Sequence, residues 1–482
     1  MGAQRCIGFL LTAIALGCTH DQTPLPENGY PAEVGRILTT QCSTPGCHTR
    51  QSKAAAGGLA MESWDDLFAG GNGGAVVIPY RPDQSWLLFY TNTDTSLGVV
   101  LQPTMPYNRL PLSLLEWQTL SAWISAGAKN NKGEVAFPPV EGRSKMYITN
   151  QGCDVVTVVD AQTRLAMRYI DVGNSPDAEL PHFVKVSPDK KYWYVVHLNS
   201  TFIEKFDAHD DSRIGTIFIG PGYWNTMAIS GDGRLGIVID LNDDGHAAIV
   251  DLEQMQLITH VWGLRWPHGS WCTQDGKTVY ITSQYGNYIY KLDISNLSFV
   301  QLERVVMSAG QSPHNFQGTY DPHEIILTPD ESKYFVTCQA SDEVRVFDAQ
   351  TDQLLAVIPV GNYPQEMAVS HLFPYVLVTC IDDPCAAPQC RGSVYVIHYE
   401  TLEVVAVINE GFYQPHGIAV SDSEGFALVA SRNLDQEGPP PHHASGCGGR
   451  NGFIQFIDLA TLKLQPEFKT EVSVDPYGVA AR

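Results

Sequence analysis

The chain has 482 residues, of which 44% are hydrophobic and 17% charged, enough apolar material for one large core or several. Its formal net charge is -22. That excludes a nucleic-acid partner, because phosphate contacts need a basic face.

The first residues read MGAQRCIGFLLTAIALGCTHDQ. Arg5 precedes an uncharged stretch, Ile7 to Leu16, of the length of a secretory signal and too short to span a bilayer. The stretch closes on Ala15-Leu16-Gly17-Cys18, which resembles the lipobox of bacterial lipoproteins. The resemblance implies a signal peptide over residues 1–17 and a lipid on Cys18. Thr19, in place of Asp, suits outer-membrane sorting. The expectation is an exported protein, periplasmic or cell-surface, tied to a bacterial membrane through its anchor. Of 11 cysteines, nine then remain beyond Cys6 and Cys18, in a compartment that permits disulfides.

Residues 30–130 read as helical. In PAEVGRILTTQC, Val34, Ile37, Leu38 and Gln41 fall on one side of a short helix. In LSLLEWQTLSAWISAGA, Ser113 and Glu116 form a capping box. Leu114, Trp117, Leu120 and Ile124 follow at helical spacing, and Gly127 stands where a C-cap belongs. Residues 131–144 read as a linker.

Inside that region lies QCSTPGCHTR. Haem attachment ordinarily reads Cys-x-x-Cys-His. Here four residues separate Cys42 from Cys47, and His48 follows. Taken alone, the stretch fits a haem site, a small disulfide ring or part of a zinc site, although zinc wants four ligands and no clean Cys/His pair stands nearby.

The order of parts around it decides the expectation. ILTTQCSTPGCHTR, AVVIPYRPDQSWLLFY and QPTMPYNRLPLSLLEWQTLSAWISAGA together resemble small bacterial c-type cytochrome domains, especially the planctomycete-type group. The resemblance implies covalent haem c, with Cys42 and Cys47 as thioether residues, His48 as proximal ligand and Met105 as distal ligand. Pro103 and Pro106 flank Met105 and pre-bend its loop. The four-residue spacer is the departure, and its Pro45-Gly46 can turn the chain back.

From residue 145 the sequence repeats. TVVDAQT (157), EKFDAHD (204), AIVDLEQ (248), YKLDISN (290), RVFDAQT (345), YVIHYET (395) and QFIDLAT (455) form one series. Each Asp is expected to cap a strand-to-strand turn. LPHFVKVSPD (180), YWNTMAISGD (223), WPHGSWCTQD (266), DPHEIILTPD (321), YPQEMAVSHL (363), QPHGIAVSDS (414) and DPYGVAAR (475) form a second. Seven copies at roughly 40 to 60 residues predict a propeller of four-stranded blades. KMYITN begins the region as a middle strand and DPYGVAAR ends it as an innermost one. The two termini therefore share a blade, which closes the ring. Tyr147-Ile148-Thr149-Asn150 resembles the signature of the YVTN family of propellers over residues 145–482. The expected fold is thus a small all-α cytochrome c-like domain, then an all-β seven-bladed propeller.

The second series places His182, His268, His323 and His416 directly after Pro, at the face where inner strands begin. Trp224, Gln365 and Tyr477 are read as their equivalents. Either Pro-His merely starts the strand, or the imidazoles hold copper or iron at the channel. Nitrous oxide reductases hold a His-bound copper cluster at this place on a related propeller. Cys385 is expected to pair with Cys390 or, across blades, with Cys447. His442 and His443 are weak additional candidates for the ring. Cys272, Cys338 and Cys380 read as core residues. DLNDDGHAAIVD (240) matches a calcium loop in spacing, yet strands flank it where an EF-hand needs helices.

These readings converge on an electron-transfer protein with a redox partner protein, its propeller acting as docking or second redox module. The alternatives are a haem-free binding or surface-scaffold propeller, and an oxidoreductase with metal in the channel.

Overall fold

The strand Pro476–Ala481 at the C-terminus pairs antiparallel with Lys145–Asn150, matching Ile148 to Val479 and Met146 to Ala481. The computed structural model describes residues 28–312, 318–385, 390–434 and 452–482. The leader with Cys18, and His442, His443 and Cys447, lie outside the described residues.

Seven antiparallel sheets form the blades of a closed propeller. Their inner strands are Pro181–Val186 (blade 1), Trp224–Ile229 (blade 2), Pro267–Cys272 (blade 3), Pro322–Leu327 (blade 4), Pro364–Val369 (blade 5), Pro415–Ser421 (blade 6) and Pro476–Ala481 (blade 7). Each neighbours the next, and blade 7 meets blade 1. The final blade is the shared one, so the ring has no free inner edge.

The core lies between blades. Ile237 and Ile239 of blade 2 pack with Tyr288, Tyr290 and Leu292 of blade 3, and Leu377 of blade 5 packs with Val429 and Ile457 of blade 6. Middle strands such as Lys333–Cys338 are buried on both faces beyond their first residue, so they read as nearly continuous apolar runs. Each such aliphatic side chain contributes about 1.5–3 kcal/mol by leaving water.

The recurrent aspartates act as expected. Asp160 accepts from Thr163 N–H at 2.9 Å, Asp348 from Thr351 N–H at 2.8 Å and Asp458 from Thr461 N–H at 2.7 Å. In blade 5, where His398 replaces Asp, its Nδ1 faces Thr401 N–H at 3.3 Å. Asp240 and Asp251 of the calcium-like stretch belong to strands, and Asp251 accepts from Glu253 and Gln254 N–H as another turn cap.

Before the propeller the chain is helical: α1 (Ala32–Ile37), continued as a π-helix to Cys42, α2 (Trp64–Phe68), α3 (Trp86–Thr91) and α4 (Leu114–Ser125). These helices enclose a core of their own, with Val34, Ile37, Leu38, Leu88, Leu120 and Ile124. The Ser113/Glu116 capping box is present. Gly127 takes φ +97° just past the helix, where a side chain would be strained. The expected apolar stripe is shifted. Leu114 is 57% exposed and Trp123 is buried, because α4 packs against α1 and α3 through its later turns.

The helical segment docks on the propeller. Ala75 and Ile78 pack with Cys153, Val155 and Tyr169. Glu471 N–H donates to the Gly73 carbonyl at 3.1 Å. Arg81 reaches Asp171 at 2.7 Å and the Tyr169 carbonyl at 3.2 Å. The stretch expected to be a linker is held too: Arg168 donates to the carbonyls of Ala136 (2.9 Å) and Phe137 (3.1 Å).

Candidate functional site

The π-helical turn Leu38–Cys42 delivers Cys42 to the edge of the helical core, where it is buried. The chain then turns back on itself. Cys47 N–H donates to Thr44 O at 2.9 Å and His48 N–H to Cys42 O at 3.1 Å. Gly46, at φ +85°, makes this reversal without strain. Both cysteines are free thiols, so the small disulfide ring is not formed. Burial pushes the Cys42 thiol up to about 12.

His48 is half-buried, and its Nδ1 faces the Leu59 carbonyl at 3.3 Å. A proton on Nδ1 donated there leaves Nε2 as a lone-pair donor. Burial lowers the His48 pKa, and the Leu59 carbonyl opposes that shift. The neutral form, the one that ligates metal, is therefore favoured. Met105 lies on a loop whose backbone is anchored at 2.7 Å from Met105 N–H to Tyr90 O on α3. Arg109 of the same loop donates to Thr44 Oγ1 at 3.3 Å, tethering it to the Cys42–His48 turn. Tyr107, Leu110, Leu114 and Leu115, which follow Met105 in the chain, are exposed.

The second predicted set converges at the channel. Each inner strand has a register shift after its first residue, for example between Pro267 and Ser270 and between Pro322 and Ile325. The shift frees the second residue from the ladder and re-aims it. His182, His268, His323 and His416 hold that position and are all buried. The His268 and His323 rings lie 3.9 Å apart, and Tyr477 sits between His182 (4.0 Å) and His416 (3.7 Å).

The blade 2 equivalent is corrected by the register. Trp224 pairs with Asp240 as Pro267 pairs with Ser283. Trp224 thus occupies the proline's place, and Asn225 the imidazole's. This phrase has no Pro, and the bulky Trp224 fills the proline's register.

Burial pushes His268 down to about 4, and His182, His323 and His416 down as well. The rings are neutral and meet in tilted contacts, His268 with His323 and both His182 and His416 with Tyr477. Among the described residues, no group of three or more His, Cys, Asp or Glu side chains is arranged to hold a metal ion. The cysteines follow expectation where described. Cys385 is bonded to Cys390, and Cys272, Cys338 and Cys380 are buried and free.

One cluster escaped the sequence reading. Glu324 and Glu366 directly follow His323 and Gln365 on adjacent inner strands, and their carboxyl groups are hydrogen-bonded to each other. Lys185 is close enough for its charge to act on both. The signal was there: an acid at the same place in two successive copies of the phrase.

No family model matches the sequence, and no curated protein is similar to it. Among solved structures, a functionally unknown protein from Desulfotomaculum acetoxidans DSM 771 aligns with a TM-score of 0.53 at 13% identity, over 70% of this chain and 98% of that chain. The likeness is one of fold. Hydrazine synthase of Kuenenia stuttgartiensis aligns with a TM-score of 0.42 (15% identity, 63% of this chain, 100% of that one). Dihydro-heme d1 dehydrogenase NirN in complex with DHE aligns at 0.47 (12% identity, 93% and 98%).

Proposed function

We propose that the chain is an exported, lipid-anchored c-type haem protein of electron transfer, whose propeller docks a redox partner protein. The carrying observation is the His48 Nδ1 to Leu59 carbonyl contact, within one turn that also holds two free cysteines. Cys42 and Cys47 are the thioether residues and His48 and Met105 the axial pair in this reading. A haem held there supplies a one-electron centre, and a His/Met pair raises its potential.

The chain's own part is positional. The Leu59 carbonyl fixes the imidazole tautomer. The Tyr90 carbonyl and the Arg109–Thr44 contact hold the Met105 loop beside the turn. The docked helical segment keeps this turn at a constant place relative to the propeller, so a partner seated on the propeller meets it in one orientation. Cys18 carries the anchor, and mass spectrometry of the mature N-terminus tests that assignment.

Protein matured with the haem-attachment machinery should show a Soret band and stain for covalent haem after denaturation. Cys42→Ser plus Cys47→Ser should lose the stain. Colourless protein under those conditions, with Cys42 linked to Cys47, overturns the reading.

A further inference from the structure

One residue beyond the imidazole layer the channel opens into a cavity of about 380 Å³, within the range of small-molecule pockets. Exposed Lys190, His371 and Ser423 stand at its mouth, with Asp422 and Arg482. The imidazoles and Tyr477 stand one or more positions earlier on the same inner strands and are not part of its lining. About half of the wall is polar, and Phe183, Trp271, Met367 and Ile418 supply its apolar and aromatic part.

Three charged side chains line the interior, each from a different blade. Glu324 and Glu366 form the hydrogen-bonded acid pair. Two carboxyl groups so joined hold one proton and one negative charge between them. Lys185 lines the same cavity, its Nζ 5.2 Å from the Trp271 ring and 5.8 Å from the Phe183 ring. Among the described residues, Lys185 makes no ion pair within 4.0 Å, although it feels both carboxyl groups. An ammonium and a carboxyl pair thus line one cavity without an ion pair between them. Closing directly on each other would satisfy both; here the space between them is left open.

We propose that this cavity binds a small zwitterion of the α-amino-acid type with an apolar side chain. The ligand's ammonium donates to the Glu324/Glu366 pair, and its carboxylate accepts from Lys185. Its side chain lies against Trp271 and Met367. Charge decides for a zwitterion over a simple cation or anion. With Lys185 as the ammonium and one proton on the acid pair the interior triad is neutral, so a zwitterion enters without changing that protonation. A cation would have to expel the shared proton, and an anion would have to add a second one.

Isothermal titration of the full chain with three probes tests this: L-leucine, isoamylamine, which lacks the carboxylate, and 4-methylvalerate, which lacks the ammonium. L-leucine should bind about tenfold or more tightly than either analogue, a gap of about 1.4 kcal/mol. Its binding heat at pH 7.5 should be the same in phosphate and Tris, because no proton is exchanged. Lys185→Met should bring L-leucine to the affinity of isoamylamine, and Glu366→Gln should weaken L-leucine at least tenfold, with circular dichroism reporting the fold of each variant. The wild-type comparison needs no variant. No binding of L-leucine at about 5 mM, equal affinity for L-leucine and isoamylamine, or a buffer-dependent heat overturns the proposal.

Discussion

The Thr282 hydroxyl of blade 3 donates to the carbonyl oxygen of His323 on blade 4 at 2.8 Å. The Thr282 hydroxyl oxygen in turn accepts the Gly269 N–H of its own blade at 2.8 Å. Thr149, Thr337 and Thr379 repeat the bond to His182, Gln365 and His416 at 3.1, 2.8 and 2.8 Å. The threonine of the recurring strand phrase is therefore a clip between blades. It also fixes the backbone of the residue that points into the channel.

Thr282→Val keeps the shape and removes the clip. It leaves a buried N–H and a buried carbonyl without this partner, at a cost of about 1–3 kcal/mol. Urea unfolding should show a lower midpoint with an unchanged slope. A midpoint equal to that of the wild type would mean that the clip contributes nothing.

Acid should weaken the channel. Burial holds His268 at about 4 in the folded chain, against about 6.5 when unfolded. The unfolded state therefore binds more protons between those values, so stability is complete above about pH 6.5 and falls as pH drops toward 4. For His268 alone the loss at pH 5 is on the order of 2 kcal/mol. His268→Gln, the residue type that blade 5 uses at this place, should flatten the change in unfolding free energy between pH 7.5 and pH 5. Parallel pH profiles for variant and wild type would contradict this.

In the haem-loaded protein, Met105→His should lower the midpoint potential, because a second imidazole replaces a thioether. A spectroelectrochemical titration reads this directly. An unchanged potential would remove Met105 from the axial position.

Gly74 has φ +95°, and a Cβ there would lie 2.8 Å from Thr470 Cγ2 on blade 6. Gly74→Ala should therefore strain the docked helical segment by about 1–3 kcal/mol and leave the blades intact. Limited proteolysis should cut faster within residues 129–144, with the propeller fragment surviving. Unchanged cleavage would show that the contact yields without cost.

The closure of the ring is legible in the sequence, because KMYITN and DPYGVAAR are two parts of one blade phrase. The turn-capping aspartates and the Ser113/Glu116 box were legible for the same reason: a cap acts on backbone two or three residues away, so its spacing is written in the chain. The cysteines, His48 and Met105 could be singled out by type and order. What tertiary structure added was the Leu59 carbonyl on His48 and the Arg109–Thr44 tether, partners too far along the chain for any local period to reveal. Trp224 was misplaced because only the ladder shows that it takes the proline's register and leaves Asn225 facing the ring. The carboxyl pair of Glu324 and Glu366, and its standing opposite Lys185, depended on which blades meet around the axis. Residues 185, 324 and 366 share one cavity only because seven inner strands converge there, and no spacing along the chain specifies that distance.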